Sequence, residues 1–279
     1  MKMTSIIKTS SLALACTVAL ASVSHAATIT WTNDANNESG WAAGDNWTGT
    51  PDNTVPTSGS DSAVVNNIPT AGSGNVWVAF NSDFTIGNGQ SLTVATDSGV
   101  NFRGSGATLT LATGGTLDLT TGTADGNLGN SFGGGLFVVV NSGATAKVTN
   151  LDINRNLTGA GDNEIATFNA SAAGAVTLFE VTNTLSIANA TLNLDLTALT
   201  AGTELGTYEL FDYGTIAGTF ASVNVTGLEA GQSFTTDYAY DIGGGDLGLA
   251  ITVIPEPGTY ALLAGLTGLA FVMLRRRQA

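Results

Sequence analysis

Through the middle of the chain, apolar residues occupy every second position in short runs, and clusters of Gly, Asn, Ser, Thr and Asp separate the runs. Alternation of this kind puts apolar side chains on one face of a strand and polar ones on the other, so it predicts an all-β body. Leu92-x-Val94 is followed eight residues on by Val100-x-Phe102, across Thr96-Asp97-Ser98-Gly99. Seventeen residues after the first rung, Leu109-x-Leu111 and Leu117-x-Leu119 repeat the arrangement around Thr113-Gly114-Gly115. Val138-x-Val140 and Ala146-x-Val148 do so again around Asn141-Ser142-Gly143, after which the register fades. Each unit offers two apolar rungs joined by a turn, and stacking the units buries a continuous core. Two architectures satisfy this pattern: a β-solenoid, or β-helix-like body, with coils of about 17 residues, and an antiparallel β-sandwich of hairpins. The likeness of the units and the recurring polar corners favour the solenoid.

Two segments break the alternation. At the N-terminus Lys2 and Lys8 precede an apolar run, Leu12 to Val23, and Ser24-His25-Ala26 closes it with the small-x-small pattern that signal peptidase reads. Residues 1–26 are therefore expected to be a signal peptide handled by Sec-type export machinery and cut after Ala26, with cleavage after Ala27 as the near alternative and with Ser24 and Ala26 as the recognition residues. At the other end Gly258 to Leu274 carries no charge and stops at Arg275, Arg276 and Arg277. As a helix it extends roughly 25 Å, which predicts one C-terminal transmembrane helix over 258–274. The arginines would act as a stop-transfer signal, leaving the body outside the cell.

Pro255-Glu256-Pro257 stands directly before this helix. Two prolines hold the chain extended and remove two backbone donors. The ordered set of Pro255-Glu256-Pro257, apolar helix and arginine cluster resembles the PEP-CTERM sorting signal. That resemblance implies that this chain is a substrate of an exosortase, a cysteine-dependent, transpeptidase-like membrane enzyme that removes the tail. It further implies an inner-membrane-anchored precursor that passes to the cell surface or an extracellular, exopolysaccharide-rich matrix.

Composition narrows the chemistry available to the body. Of 22 acidic residues all but Glu256 lie before the tail, whereas of 8 basic residues only Arg103, Lys147 and Arg155 lie between the two terminal segments. So acidic a body repels nucleic acid, and no nucleic-acid partner is expected. The single histidine, His25, and the single cysteine, Cys16, both fall in the signal segment. This removes disulfides, Ser-His-Asp and Cys-His catalysis, and zinc sites of the usual ligand types from the mature chain. Carboxylate chemistry remains: a glycosidase-like pair, or calcium held by oxygen ligands. No cofactor, metal ligand or catalytic residue is assigned.

The repetitive ectodomain is expected over 27–184, with a Trp-rich N-terminal cap over 28–68 that contains Trp31, Trp41 and Trp47. Gly44-Asp45-Asn46-Trp47 within it is similar to the opening segment of autotransporter-associated β-strand repeat proteins, whose bodies look like β-helices. The indoles would close an open solenoid end; the alternative is that Trp47 and Trp77 stack on sugar rings. A C-terminal β segment is expected over 185–253, before the sorting tail at 254–279. Asp237, Asp241 and Asp246 near Gly243-Gly244-Gly245 suggest a calcium turn, but they lack the repeated order of a calcium-binding β-roll, so a glycine-rich hairpin is favoured. The functional expectation is a non-catalytic surface or matrix protein. A polysaccharide-binding module is the alternative, and a carboxylate-dependent polysaccharide-active enzyme stands behind both.

Overall fold

The computed structural model describes residues 27–31, 39–40, 47–48, 55–57, 59–65, 76–80, 82–94, 100–104, 107–120, 126–128, 136–153, 165–169, 179–188, 190–244 and 246–278. At the N-terminal end lie β1 (Thr28–Trp31), β2 (Ser39–Gly40) and β3 (Trp47–Thr48). Three coils follow, each with one strand on each of three faces. They are β4 (Ser62–Val65), β5 (Val76–Phe80) and β6 (Phe84–Ile86); β7 (Ser91–Val94), β8 (Val100–Gly104) and β9 (Thr108–Leu111); β10 (Thr116–Asp118), β11 (Gly126–Leu128) and β12 (Phe137–Asn141). In the later coils one long strand serves two faces: β13 (Thr145–Asp152) with β14 (Ile165–Asn169), β15 (Phe179–Ser186) with β16 (Thr191–Asp195), and β17 (Gly206–Ala217) with β18 (Ser222–Thr226). The chain closes with β19 (Gln232–Gly243), β20 (Asp246–Pro255) and α1 (Pro257–Gln278).

The fold is a parallel β-solenoid, as the alternation led us to expect. On the first face Ile29, Ala63, Leu92, Leu117, Ala146, Phe179 and Phe211 lie one above another in register, and all are buried. On the second, Val78, Phe102, Leu128, Leu151, Leu185 and Ile216 form the equivalent stack. On the third, Ile86, Leu111, Val140, Phe168, Leu194 and Val225 do so. The three stacks meet in one core. No coil could bury its apolar residues alone, so stability grows with each neighbour added.

The coil length differs from expectation. Successive residues of the first-face stack, from Ile29 to Phe211, are 25 to 34 positions apart in the chain, so one coil takes 25 to 34 residues, not about 17. The seventeen-residue step from Leu92 lands on Leu109, which belongs to the third face and pairs with Phe84 and Val138. The apparent unit was two faces of a three-faced coil.

The tight corner between the third and first faces recurs as a four-residue turn. Gln90 N–H donates to Gly87 O (3.1 Å), Gly115 N–H to Ala112 O (2.8 Å) and Ala144 N–H to Asn141 O (3.0 Å). The third residue of each turn is Gly89, Gly114 or Gly143, with φ of 74°, 77° and 79°. Only glycine adopts this region without steric cost, and a type II turn demands it there. The corners also bond to each other, Gly89 N–H to Gly114 O and Gly114 N–H to Gly143 O, each at 3.0 Å.

At the N-terminal end β1 pairs antiparallel with β3, setting Trp31 opposite Trp47. Trp47 is completely buried. At the other end parallel stacking continues through β16, β17 and β18, which lie within the stretch 185–253. The closure itself is the antiparallel hairpin of β19 and β20 laid against β17. The Tyr213 hydroxyl donates to Tyr238 O, and the Tyr238 hydroxyl accepts from Phe220 N–H (3.2 Å). The Phe211 ring meets Phe168 edge-on at 5.0 Å and lies 6.2 Å from Phe220, so aromatic side chains fill the last coils.

Candidate sorting site

The Pro255-Glu256-Pro257 tripeptide sits where the sheet hands over to the helix. Pro255 is the last residue of β20 and lies opposite Gln232 of β19. Proline lacks a donor for the ladder, so the strand ends there. Pro257 is the first residue of α1, where its missing N–H would have had no helical partner and its fixed φ suits the helix. Glu256 is the single residue between the two elements, and it is exposed. Its N–H donates to Gly231 O at 2.7 Å, which ties the junction to the start of β19. Sequence reasoning located the tripeptide but missed Gly231, because a backbone acceptor has no side-chain signature.

Helix α1 exposes its apolar residues on every side: Leu262, Leu263, Leu266, Leu269, Phe271, Val272, Met273 and Leu274 are all more than half exposed. It is therefore not packed into the body. The Thr267 hydroxyl is satisfied within the helix, donating to Leu263 O at 2.6 Å. Arg275, Arg276 and Arg277 occupy the last turn, where positive charge complements the helix dipole.

The expectation of a transmembrane helix over 258–274 is corrected here: among the described residues no helix is long and apolar enough to cross a membrane. Gly258, Thr259, Gly265, Thr267 and Gly268 interrupt the apolar run, and Arg275 ends it short of the roughly 20 residues an independent span requires.

Ser24 and Ala26 of the signal segment lie outside the described residues, as do Trp41 and the side chains of Trp31 and Trp77. Trp47 can be placed. Its complete burial leaves no ring face for a sugar, so the stacking alternative fails at that residue.

Among the described carboxylates Glu204 is buried, with Oε2 lacking a hydrogen-bond partner, whereas Asp118, Glu180 and Asp212 are half-buried. On the first face Asp118, Lys147, Glu180 and Asp212 succeed one another in register. Lys147 Nζ lies 2.6 Å from Glu180 Oε1. That bond, chiefly, raises the lysine pKa, with Asp118 and Asp212 adding to it. Burial raises the Asp212 pKa above the usual carboxylate range, and repulsion from Asp246 and Glu180 adds to it. On the third face the Asp195 pKa is lowered, because its carboxylate accepts from the Thr197 hydroxyl (2.7 Å) and N–H (3.0 Å), and also from the Thr226 hydroxyl. Near the glycine hairpin Asp237 accepts from Ala239 N–H and Asp241 from Gly243 N–H, so both carboxylates satisfy their own strand. Among the described residues no group of three or more His, Cys, Asp or Glu side chains is placed to hold a metal ion.

Comparison with known proteins bears on the tail. Residues 253–277 match the PEP-CTERM protein-sorting motif. The match indicates an exported protein that is processed by an exosortase and has a membrane-anchored precursor. No curated protein and no solved structure matches the chain.

Proposed function

We propose that this chain is a non-catalytic structural or adhesive protein of the cell surface or of the extracellular, exopolysaccharide-associated matrix. It is exported by Sec-type machinery with a signal peptide that signal peptidase removes after Ala26, and its body is of the autotransporter-associated repeat kind. The observation that carries this reading is the sorting motif at 253–277, which begins in the last strand of the solenoid's closing hairpin and runs through the single residue Glu256 into α1. A rod of stacked coils suits a scaffold, because it is stiff and presents wide side faces.

The placement of the acids supports a role without chemistry. Glu180 is engaged by Lys147, Asp195 by two threonines, and Asp118 by the N–H and hydroxyl of Thr120. Groups held this way are committed to the fold.

The test is fractionation of the native producer together with a strain lacking residues 255–279. The intact chain should be recovered from the surface or matrix fraction, with a mass ending near Pro257, whereas the truncated chain should not be retained there. Recovery of the full chain only in membranes, with Arg277 still attached, would overturn the proposal.

A polysaccharide-binding role has one observation in its favour. The outer row of the third face, Thr85, Thr110, Val139, Thr167, Asn193 and Asn224, is uncharged and in register, which gives a hydrogen-bonding surface instead of a stacking one. Retention of the purified protein by the producer's own polysaccharide, lost on Thr167→Leu with Asn193→Leu, would favour it.

A further inference from the structure

The first described residue, Ala27, is already built into the solenoid. Its carbonyl oxygen accepts from Ser62 N–H at 2.8 Å, one step ahead of the parallel pairing of Thr28 with Ser62. Its side chain packs against the core. Its backbone nitrogen donates to Asp61 Oδ1 at 3.2 Å. The second carboxylate oxygen, Asp61 Oδ2, accepts from Thr57 N–H at 2.8 Å, and Asp61 N–H returns a bond to Thr57 O at 3.0 Å. Asp61 is thus held by Thr57, with one oxygen turned to the first residue of the body. Among the described residues no lysine or arginine pairs with it.

We infer that Asp61 is the receptor for the chain's own mature amino terminus: once the signal segment is cut away, the new α-ammonium of Ala27 forms an ion pair with the Asp61 carboxylate and locks the first coil. The inference rests on the reading that cleavage follows Ala26. In the precursor the Ala27 nitrogen is a neutral amide with one proton. Hydrolysis of the Ala26–Ala27 bond gives the hydroxyl of water to Ala26 and its proton to Ala27; the new carboxylic acid then releases a proton and the amine takes up one more, so the nitrogen becomes a cation with three donors. An α-amino group is protonated at neutral pH, so a hydrogen bond in which only the Asp61 carboxylate is charged becomes one in which both partners are, and a Coulomb attraction is added to it. Processing itself therefore tightens β1 against β4 and leaves the uncut precursor with a looser N-terminal coil, which suits a chain that must stay unfolded until it is exported.

The experiment uses the full protein recovered after export, with its N-terminus read by intact mass. Four forms are compared by thermal midpoint: the native chain, one with a single alanine inserted between Ala26 and Ala27, Asp61→Asn, and the combination. The insertion moves the ammonium one residue upstream and returns Ala27 to an amide. It should lower the midpoint by about 2–4 °C with Asp61 present and leave it unchanged with Asp61→Asn. An equal shift in both backgrounds, or no shift in either, overturns the pairing. Should Asp61→Asn not fold, the two N-termini are compared with Asp61 intact at low salt and at about 1 M salt, where an ion pair is screened. A difference indifferent to salt then overturns it. A mature N-terminus elsewhere than Ala27 overturns the cleavage reading and the inference with it, whereas a terminus at Ala27 without coupling defeats the inference alone.

Discussion

The N–H of Glu256 donates to the carbonyl oxygen of Gly231 at 2.7 Å, so the middle residue of the sorting tripeptide is bonded to the closing hairpin of the body. With Pro255 paired to Gln232 and Pro257 already helical, the site has no slack on either side. An enzyme that must draw this segment into an active site has to detach the end of β20 first. Inserting four Gly/Ser residues between Ile254 and Pro255 should therefore speed loss of the tail. A time course of intact mass in the producing cell checks this, and an unchanged rate would show that detachment does not limit processing.

The corner glycines differ in what they tolerate. Gly59 has φ of 72° but nothing within 4 Å of an added Cβ, so Gly59→Ala should cost only the left-handed backbone penalty, about 1–2 kcal/mol. A Cβ on Gly115 would lie 2.5 Å from Ile86 O, a backbone atom of the coil below. Gly115→Ala should cost more than Gly59→Ala, because coils must separate to admit it. Urea midpoints of the two variants rank the effects.

Phe211 tops the first-face stack and touches the rings of Phe168, Phe179 and Phe220. Phe211→Ala should destabilise by about 3–5 kcal/mol, as expected for deletion of a buried aromatic ring. The loss should appear first in the hairpin and the last coils, which lean on this ring. Hydrogen exchange resolved along the chain gives the readout: uniform loss of protection across all coils would contradict a local effect.

Two carboxylates should move stability in opposite directions with pH. The Asp195 pKa is lowered in the folded protein, so its contribution is full above the unfolded carboxylate value, about 3.9, and fades as pH falls through its folded pKa. Asp195→Asn should lower the thermal midpoint at pH 7, and the deficit should shrink in acid. The Asp212 pKa is raised, so its ionised form weakens the fold at neutral pH; the penalty begins to lift as pH falls through the folded pKa and is gone below the unfolded carboxylate value, about 3.9. Asp212→Asn should raise the midpoint at pH 7 and lose that advantage in acid. Melting curves from pH 3 to pH 7 decide both cases; the same sign for the two variants would contradict the assignment.

Legibility varied with the range of the interaction. Leu92-x-Val94 and Leu117-x-Leu119 announce buried strand faces because side chains alternate with period two, and the structure buries all four residues. The Gly114 and Gly143 corners were visible for a similar local reason, since left-handed backbone selects glycine. The sorting tripeptide was visible because its prolines and the arginine cluster are fixed by composition and order alone. Asp61 and Gly231 carried no signal: their partners lie 34 and 25 positions away in the chain, and a carboxylate or a carbonyl looks the same wherever it points.

By itself the sequence determined that the body is β, which residues face inward in the strands around Leu92, Leu109, Leu117, Val138 and Ala146, where the Gly114 and Gly143 corners fall and where the sorting tail begins. All of these follow from short-range alternation, backbone sterics and residue order. Only the tertiary structure decided that a coil has three faces, that Leu92 sits under Leu117 and not under Leu109, and that Trp47 is sealed inside. A period of two is the same on every face, so alternation cannot say which rungs stack; that depends on how each coil closes and on the backbone ladder between coils.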